Sequence, residues 1–301
     1  MLEILIIRYL NTPVIVVNVP PEVDSALVVA SSLNGGSWKN IFKNIKKNIF
    51  FVRQLVFITI IGDLKRSALG LLWLFILPIF SAIVWLVLHG AGIIDPGNIE
   101  IPYPAYVLLS TSIWAFFSDI YKSTSNIIMQ NSKVITMTSF PHELLILSKI
   151  IVHLINFSIP LLVNIVILYF FGIRFDWVAI LFPLSLLPLL LMGLSIGLIV
   201  ALFRVVAVDL SKMIDQAILF LMFLTPVVYS SKIKISWLSG IIKYNPMTYL
   251  IGFSRDLLTK GVFYEPKLYL LCSIITFVFF TLSIRLFLKA EPKIIEKLIN
   301  N

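Results

Sequence analysis

Charged residues are scarce in this chain. Only 13% of its 301 residues are Asp, Glu, Lys or Arg, whereas 59% are hydrophobic and the mean hydropathy is +1.00. Because an average soluble domain carries about 25% charged residues, this composition excludes an ordinary soluble enzyme, a disordered chain and a nucleic-acid-binding module. The formal charge of +9 therefore indicates lysines and arginines gathered at the cytoplasmic face of a membrane protein, and we expect no nucleic-acid partner.

Several kinds of chemical site are also missing from the sequence. Cys272 is the only cysteine, which excludes a disulfide framework and a cysteine-rich metal site. The three histidines, His89, His142 and His153, are scattered without ligand spacing, so we expect no metal. No G-x-x-x-x-G-K-[ST] stretch occurs, so the chain does not bind ATP through a P-loop. If the protein transports actively, another subunit must bind the ATP and magnesium, and we expect no cofactor in this chain.

Long apolar segments make up most of the sequence. A membrane-spanning helix needs about 20 apolar residues, and six segments qualify or come close: Leu69–Leu88, Tyr103–Ile120, Leu144–Phe171, Trp177–Phe203, Ile214–Tyr229 and Leu268–Phe287. Between the last two, the apolar stretch Ile233–Leu258 is interrupted by Gly240, Asn245-Pro246 and Gly252. Two short half-helices dipping into the outer leaflet would suit such a stretch. The predicted fold class is an all-α integral membrane protein with six transmembrane helices.

A basic amphipathic segment precedes the spans. Apolar residues recur at helical spacing from Trp38 to Val56, and most of the basic residues there fall on the other face. Such a helix lies in the membrane interface, although a soluble helix packed on a core has the same pattern. The predicted domains are an amino-terminal extension of unknown structure at 1–36, this helix at 37–60, a six-span domain at 61–290 and a tail at 291–301.

The placement of basic residues predicts the orientation. With six spans both termini share a side, and that side holds 17 of the 24 basic residues, so we expect both termini in the cytoplasm. The loop between the fifth and sixth spans is an exception, because it is basic and lies outside. Its cations either anchor the half-helices at lipid headgroups or serve an anionic partner.

The middles of the six spans contain no Asp, Glu, Lys or Arg. This disfavours a secondary carrier, because ion-coupled carriers use charges within the membrane. A membrane enzyme acting on polyprenyl-linked sugars is a second alternative, and it would need an interfacial carboxylate pair or a metal site. The best carboxylates for that role, Asp63, Asp119 and Asp209, lie in separate segments.

Four motifs occur in a characteristic order along the chain. They are Lys65-Arg66-Ser67-Ala68-Leu69-Gly70-Leu71-Leu72-Trp73, Lys133 followed by Phe140-Pro141 and Leu144, Thr225-Pro226-Val227-Val228-Tyr229, and Asn245-Pro246-Met247-Thr248. Together they resemble the permease subunit of type-2 ABC exporters, in the branch that exports lipid-linked polysaccharides such as O antigen, capsule and teichoic acid. The resemblance covers about residues 38–290. The chain departs from the family at Val208, where arginine is usual before Asp209, and at Gly252, where glutamate is usual.

The resemblance implies a non-catalytic homodimer that works with two ABC ATPase subunits in the bacterial cytoplasmic (inner) membrane. A coupling helix would dock on the ATPase through Lys133, Phe140, Pro141, His142 and Glu143. An outer gate would contain Pro226, Asn245, Pro246 and Arg255. A type-2 ABC exporter of lipids or drugs would have the same fold and is the alternative in this class.

Aromatic side chains suit a sliding path for a sugar chain, because sugars present apolar C–H faces. The candidates are Trp73, Phe80, Trp85, Trp114, Phe117, Tyr121, Phe220, Phe223 and Tyr229. Trp and Tyr at span ends are also typical of interface belts, and Phe is typical of lipid-facing or core positions. The sequence leaves these two interpretations open for each residue.

Overall fold

The structure, a computed structural model, describes residues 6–9, 12–15, 38–66, 72–132, 142–231 and 236–300. Its helices are α1 (Trp38–Lys47), α2 (Ile49–Arg66), α3 (Leu72–Gly90), α4 (Tyr103–Ser125), α5 (Ile127–Gln130), α6 (His142–Phe170), α7 (Phe182–Ser185), α8 (Leu187–Val206), α9 (Val208–Phe223), α10 (Ser236–Tyr244), α11 (Pro246–Lys260) and α12 (Pro266–Asn300). A 3-10 helix at Trp177–Leu181 precedes α7. In the amino-terminal extension, strands β1 (Ile6–Tyr9) and β2 (Thr12–Ile15) form an antiparallel pair.

Within the described residues, three helical segments are long and apolar enough to cross a membrane. They are Glu143–Phe170, Trp177–Val206 and Pro266–Ala290, with mean hydropathies of 2.3, 2.6 and 2.2. At a rise of about 1.5 Å per residue, segments of this length exceed the roughly 30 Å of a bilayer core. The prediction of a helical membrane protein with several spans is therefore confirmed.

The core is built around α4, which is buried along nearly its whole length. It packs against α8, α6 and α3, and α12 runs along the far side of α8. The contact between α4 and α8 is close because Gly193 and Gly197 of α8 turn toward α4. A Cβ added at Gly197 would lie 2.7 Å from Thr124 Cβ. These two glycines let the helix backbones approach as small residues do at membrane helix interfaces.

Prolines mark where the fourth apolar segment begins its regular helix. Pro183 and Pro188 lie in the first turns of α7 and α8, where a missing N–H costs no hydrogen bond. The segment predicted as one span from Trp177 therefore starts with a 3-10 turn and a single α-turn. Only α8 is a long regular helix.

The structure differs from the predicted boundaries at the amphipathic segment. The segment is two helices, α1 and α2, rather than one, and α2 extends to Arg66. They are separated at Asn48, whose side-chain amide donates to the Asn44 carbonyl at 3.0 Å. Asparagine competes with the helical backbone in this way, which explains a break inside an otherwise periodic pattern.

The fifth apolar segment and its neighbours also differ from the prediction. α9 covers Val208–Phe223, so it starts six residues earlier than predicted, and 224–229 is not helical. The half-helices are α10 and α11, separated at Asn245, whereas Gly252 lies inside α11 and does not interrupt it. The last helix continues through the predicted tail to Asn300. The hydrophobic pattern missed the start of α9 and the end of α12 because those helical turns carry polar residues. It placed the end of α9 too late because apolar residues continue past the turn that ends the helix.

Candidate functional site

The amphipathic segment lies against the start of α6. Helix α2 packs along α6, and the Asn44 side-chain amide of α1 donates to Glu143 Oε1 at 2.9 Å. Glu143 lies in the first turn of α6, where a carboxylate is favoured by the helix dipole. A predicted coupling residue is therefore in direct contact with α1.

The rest of the predicted coupling segment lies largely outside the described residues. Lys133, Phe140 and Pro141 belong to the undescribed stretch 133–141. His142 is the first residue of α6, but its side chain is also outside the described set. The proposed roles of these four residues stay predictions.

At the opposite end of the molecule, Asn245 joins the end of α9 to the start of α11. Its Oδ1 accepts the backbone N–H of Met247 at 2.9 Å and so caps α11. Its Nδ2 donates to the Leu224 carbonyl at 3.1 Å and to Thr225 Oγ1 at 2.9 Å. Because every polar hydrogen of this buried amide is used, Asn245 fixes the turn after α9 to the half-helix.

Arg255 anchors the same turn from the other side. Its Nη1 donates to the Tyr106 hydroxyl at 2.7 Å and reaches the Pro226 carbonyl at 3.3 Å, while its Nε donates to Asp256 Oδ1 at 2.9 Å. The guanidinium carbon lies 4.2 Å from the centre of the Tyr106 ring. The Tyr106 hydroxyl is in turn 2.7 Å from the Tyr229 carbonyl. Two residues predicted for the outer gate, Asn245 and Arg255, are thus buried and bind the same turn, which contains Pro226.

The departure from the family at Gly252 has a structural counterpart. A Cβ at Gly252 would lie 2.9 Å from Cε1 of Tyr264 and 3.8 Å from Arg255 Nη2. Tyr264 occupies the space beside the arginine, and its hydroxyl lies 3.1 Å from Ser231 Oγ. A tyrosine ring therefore fills the place where a longer side chain would project.

Two helices present exposed aromatic faces. On α9, Phe220 and Phe223 are 66% and 55% exposed, and on α3, Phe80 and Trp73 are 63% and 44% exposed. Trp85 of α3, which is partly buried and lies on another side of the helix from Phe80, meets Phe223 edge to face, with ring centres 6.1 Å apart. The two helices therefore touch at this pair. On the same side of α9, Gln216 is exposed one turn before Phe220, and Met213 is exposed two turns before it.

Three of the aromatic path candidates are interior residues. Trp114, Phe117 and Tyr121 of α4 are 5%, 0% and 1% exposed. They face other helices of the same chain because α4 is surrounded on all sides, so in this structure they line no open surface. Tyr229 is partly exposed, and its hydroxyl donates to the Phe223 carbonyl at 2.7 Å. The exposed candidates are thus confined to α3, α9 and the turn that follows α9.

The carboxylates considered for an enzyme lie apart. Asp119 is on α4, Asp209 is on α9 with its side chain 98% exposed, and the side chain of Asp63 is outside the described set. Asp209 has an ion pair at 3.6 Å with Lys212 of the same helix. Among the residues that the structure describes, no group of three or more His, Cys, Asp or Glu could hold a metal ion.

Several residues of this arrangement were not found from the sequence. Asn44 and Tyr106 lie in no recognised motif, and Thr225 lies in one that does not indicate its contact with Asn245. Their partners are distant in sequence. A shallow, open pocket of about 610 Å³ lies beside Asn245. Its other lining residues are Leu221, Trp237, Gly240, Ile241, Tyr244 and Pro246. The spacing of Trp237, Ile241 and Tyr244, which share one helix face, was the available signal for α10.

Comparisons with known proteins agree with this geometry. A family model described as "ABC-2 type transporter" matches residues 52–259. Two proteins named O-antigen export system permease protein RfbA, from Klebsiella pneumoniae, are each 24% identical to this chain. The matches cover 72% and 78% of this chain and 85% and 92% of the relatives. A protein of the same name from Myxococcus xanthus is 27% identical over 68% of this chain and 76% of its own length.

Proposed function

The chain belongs to the ABC-2 type transporter family, and on this basis we propose that it forms the membrane path of an exporter for a lipid-linked polysaccharide. Family membership makes it a multi-pass membrane transport subunit that works with an ABC ATPase and has no catalytic site of its own. The cargo is inferred from the relatives, which are named O-antigen export permeases. O antigen is one of three polysaccharides, with capsule and teichoic acid, that this branch exports.

The exposed aromatic rings of α3 and α9 carry the proposal, and the two helices touch at Trp85 and Phe223. A sugar ring has apolar C–H faces and a polar rim, so a surface that alternates aromatic rings with a polar group such as Gln216 can guide it without binding it tightly. Phe80, Phe220 and Phe223 provide such rings at exposed positions. An export path needs weak contacts of this kind, because a cargo that binds strongly does not leave.

A second copy of the chain would close the path. Among the residues that the structure describes, none covers the exposed apolar faces of α3 and α9, and closed two-fold dimers are the commonest oligomers. In a homodimer these faces would meet across the axis and enclose the cargo between them. Each chain would contribute six spans, with α3, α4 and α9 completing the set, and α10 and α11 would be re-entrant.

The inner side of the protein would dock two ATPase subunits, which bind ATP and magnesium. We place the docking surface at 133–143, with Phe140 as the buried anchor, Lys133 paired to an acidic groove and Pro141 and His142 leading into α6. The hydrogen bond between Asn44 and Glu143 would pass movement of this segment to α1 and α2 in the membrane interface. Both termini would then lie in the cytoplasm of a bacterial inner membrane.

The outer gate would be the turn after α9. Pro226 and the Asn245-Pro246 junction meet there, and Arg255 holds the turn from inside. Because these contacts are buried, the gate would open by moving the turn and α11 together rather than by breaking each bond.

Affinity purification in mild detergent tests the assembly. We expect an ABC ATPase to co-purify in equimolar amount with a dimer of this chain, and a clean homomer in several detergents would contradict the proposal. Deleting the gene in its native cell tests the cargo. A lipid-linked polysaccharide should accumulate on the inner leaflet and disappear from the cell surface, whereas loss of a lipid or drug efflux alone would favour the alternative exporter.

A further inference from the structure

Helices α8 and α9 are joined by a single non-helical residue. Ala207 has φ −143° and ψ 78°, and helix resumes at once on its far side. Its N–H still bonds to the Phe203 carbonyl at 2.6 Å, so α8 ends fully formed. One residue outside helical geometry leaves the direction of α9 to be set by side-chain contacts rather than by the backbone.

An ion pair crosses this junction. Arg204 Nη2 lies 2.9 Å from both carboxylate oxygens of Asp215. The same arginine donates from Nε to the Ser125 carbonyl at 3.2 Å and from Nη2 to Ser125 Oγ at 3.1 Å. The buried Tyr121 hydroxyl donates to Asp215 Oδ1 at 2.6 Å. We call these four residues the clasp, and it ties α9 to both α8 and α4.

The clasp lies on one side of α9, and the exposed stripe lies on the other. Asp215 is in line with the buried Ser211 and Ile218, which are one turn away on either side. Met213, Gln216 and Phe220 project from the opposite face. A rotation of α9 about its own axis would therefore exchange the residues offered to the path, and the clasp opposes that rotation.

Contacts hold α9 at its middle and at the turn that follows it, and these contacts differ in burial. The outer turn is held by Asn245 and Arg255, which are 7% and 5% exposed. The clasp is less buried, since the side chains of Arg204 and Asp215 are 18% and 31% exposed. Water can replace a part-exposed ion pair more readily than a buried one, so the clasp is the contact that opens first.

We propose that Arg204 and Asp215 are positioning residues that set which face α9 presents to the transport path. The pair acts through α9 and need not touch the cargo. The inference rests on the proposed function only in taking α9 as a path-lining helix. Its physical content, that the clasp fixes the placement of α9 against α4, holds for any cargo.

A distance measurement on the full chain in lipid nanodiscs tests the proposal without ATPase or cargo. In a Cys272→Ser background, spin labels at Met213→Cys and Lys289→Cys report on α9 against α12, and both sites are exposed. Labels at Lys243→Cys and Lys267→Cys report on the outer side as an internal control. Labelled chains are diluted with unlabelled ones, so that only distances within one chain are measured by electron spin resonance.

Opening the clasp should change the first distance and leave the second unchanged. Asp215→Asn keeps the size of the side chain and removes its charge, and we expect the α9 distance to shift by about 3 Å, the thickness of one water layer that replaces the direct contacts. The exchange Arg204→Asp with Asp215→Arg should recover much of the original distribution. Asp209→Asn is the matched control, because it removes an exposed carboxylate of the same helix that does not reach α4 or α8.

The proposal is overturned if Asp215→Asn and Arg204→Ala both keep the wild-type distance between α9 and α12. Should either variant fail to fold, Tyr121→Phe and Arg204→Lys weaken the clasp more gently and are measured in the same way. Export in cells gives a second readout. Asp215→Asn should lower export severalfold at unchanged protein level, the exchanged pair should restore part of it, and equal loss in Asp209→Asn would contradict a role specific to the clasp.

Discussion

Adding one methyl group at Gly197 should destabilise the protein although it improves the helix propensity of α8. In an open helix position, Gly→Ala stabilises by about 1 kcal/mol because alanine restricts the unfolded chain and suits the helix. At Gly197 the new Cβ would lie 2.7 Å from Thr124 Cβ and 3.1 Å from the backbone oxygen of Tyr121. These atoms belong to a branched side chain and a main chain, so neither can move aside cheaply.

The two effects can be compared in free energy of unfolding. Overpacking a tight core costs about 1–3 kcal/mol, which exceeds the gain in propensity, so we expect Gly197→Ala to lower the free energy of unfolding by about 1–2 kcal/mol. Gly193→Ala should cost less, because its Cβ would lie 3.1 Å from Ile120 Cγ2 and the Phe117 carbonyl. Gly62→Ala is the matched control, since nothing lies within 4 Å of its added Cβ.

The assay is reversible unfolding in mixed micelles, followed by helix content, with the three variants measured side by side. A shift of about 1.4 kcal/mol changes the unfolding equilibrium tenfold, which this method resolves. We expect the order of stability to be Gly62→Ala, wild type, Gly193→Ala and Gly197→Ala, from highest to lowest. If Gly197→Ala were as stable as Gly62→Ala, the close approach of α4 and α8 would not limit the packing of this core.

Three further predictions concern function. Phe220→Ala should lower export with little change in unfolding, whereas Phe117→Ala should cost about 3–5 kcal/mol of stability; equal effects of both variants on unfolding would contradict the assignment of Phe220 to the path. Asn245→Ala should cost about 1–2 kcal/mol through the lost helix cap and also loses the bonds to the turn. Asn245→Asp keeps the cap but sets a buried carboxylate against the Leu224 carbonyl, so an export loss in Asn245→Asp as large as that in Asn245→Ala would show that holding the turn, and not capping, matters for export. Asn44→Ala and Glu143→Ala should each raise the amount of ATP hydrolysed per cargo molecule exported. The double variant should raise this ratio no further than either single variant, because each substitution removes the same hydrogen bond. Additive effects would show that the two residues act separately.

Polar contacts differ between the two ends of the helix bundle. At one end, Asn245 and Arg255 are both buried and hold the turn after α9 through several hydrogen bonds. Removing one partner there leaves another buried and unpaired, which is costly. At the other end, the contact of Asn44 with Glu143 is only partly buried. We therefore expect that contact to break and re-form at lower cost than those around Asn245 and Arg255.

Much of the membrane topology follows from local patterns. Three long helices coincide with predicted spans, and the two short helices around Asn245 were expected because Asn-Pro ends one helix and starts the next. The close approach at Gly193 and Gly197 was not predicted, although Gly-x-x-x-Gly spacing is typical of closely packed membrane helices. Such a motif indicates that the helix backbone packs closely against another helix. It does not identify that helix or show whether it belongs to the same chain.

The sequence by itself determined that this protein lies in a membrane and that its secondary structure is mainly helical. Hydropathy is a sum over neighbouring residues, so a stretch such as Leu187–Val206 specifies a membrane helix wherever it finally packs. Only the tertiary structure decided which face of each helix is covered. Phe117 and Phe220 are the same residue in similar surroundings along the chain, yet one is 0% and the other 66% exposed. The difference arises because α4 is enclosed by helices from distant parts of the chain, while one side of α9 is left open. In the same way, nothing in the sequence indicates that Arg204 and Asp215 form an ion pair. In the structure α8 and α9 meet at Ala207, and Arg204 Nη2 lies 2.9 Å from Asp215 Oδ1.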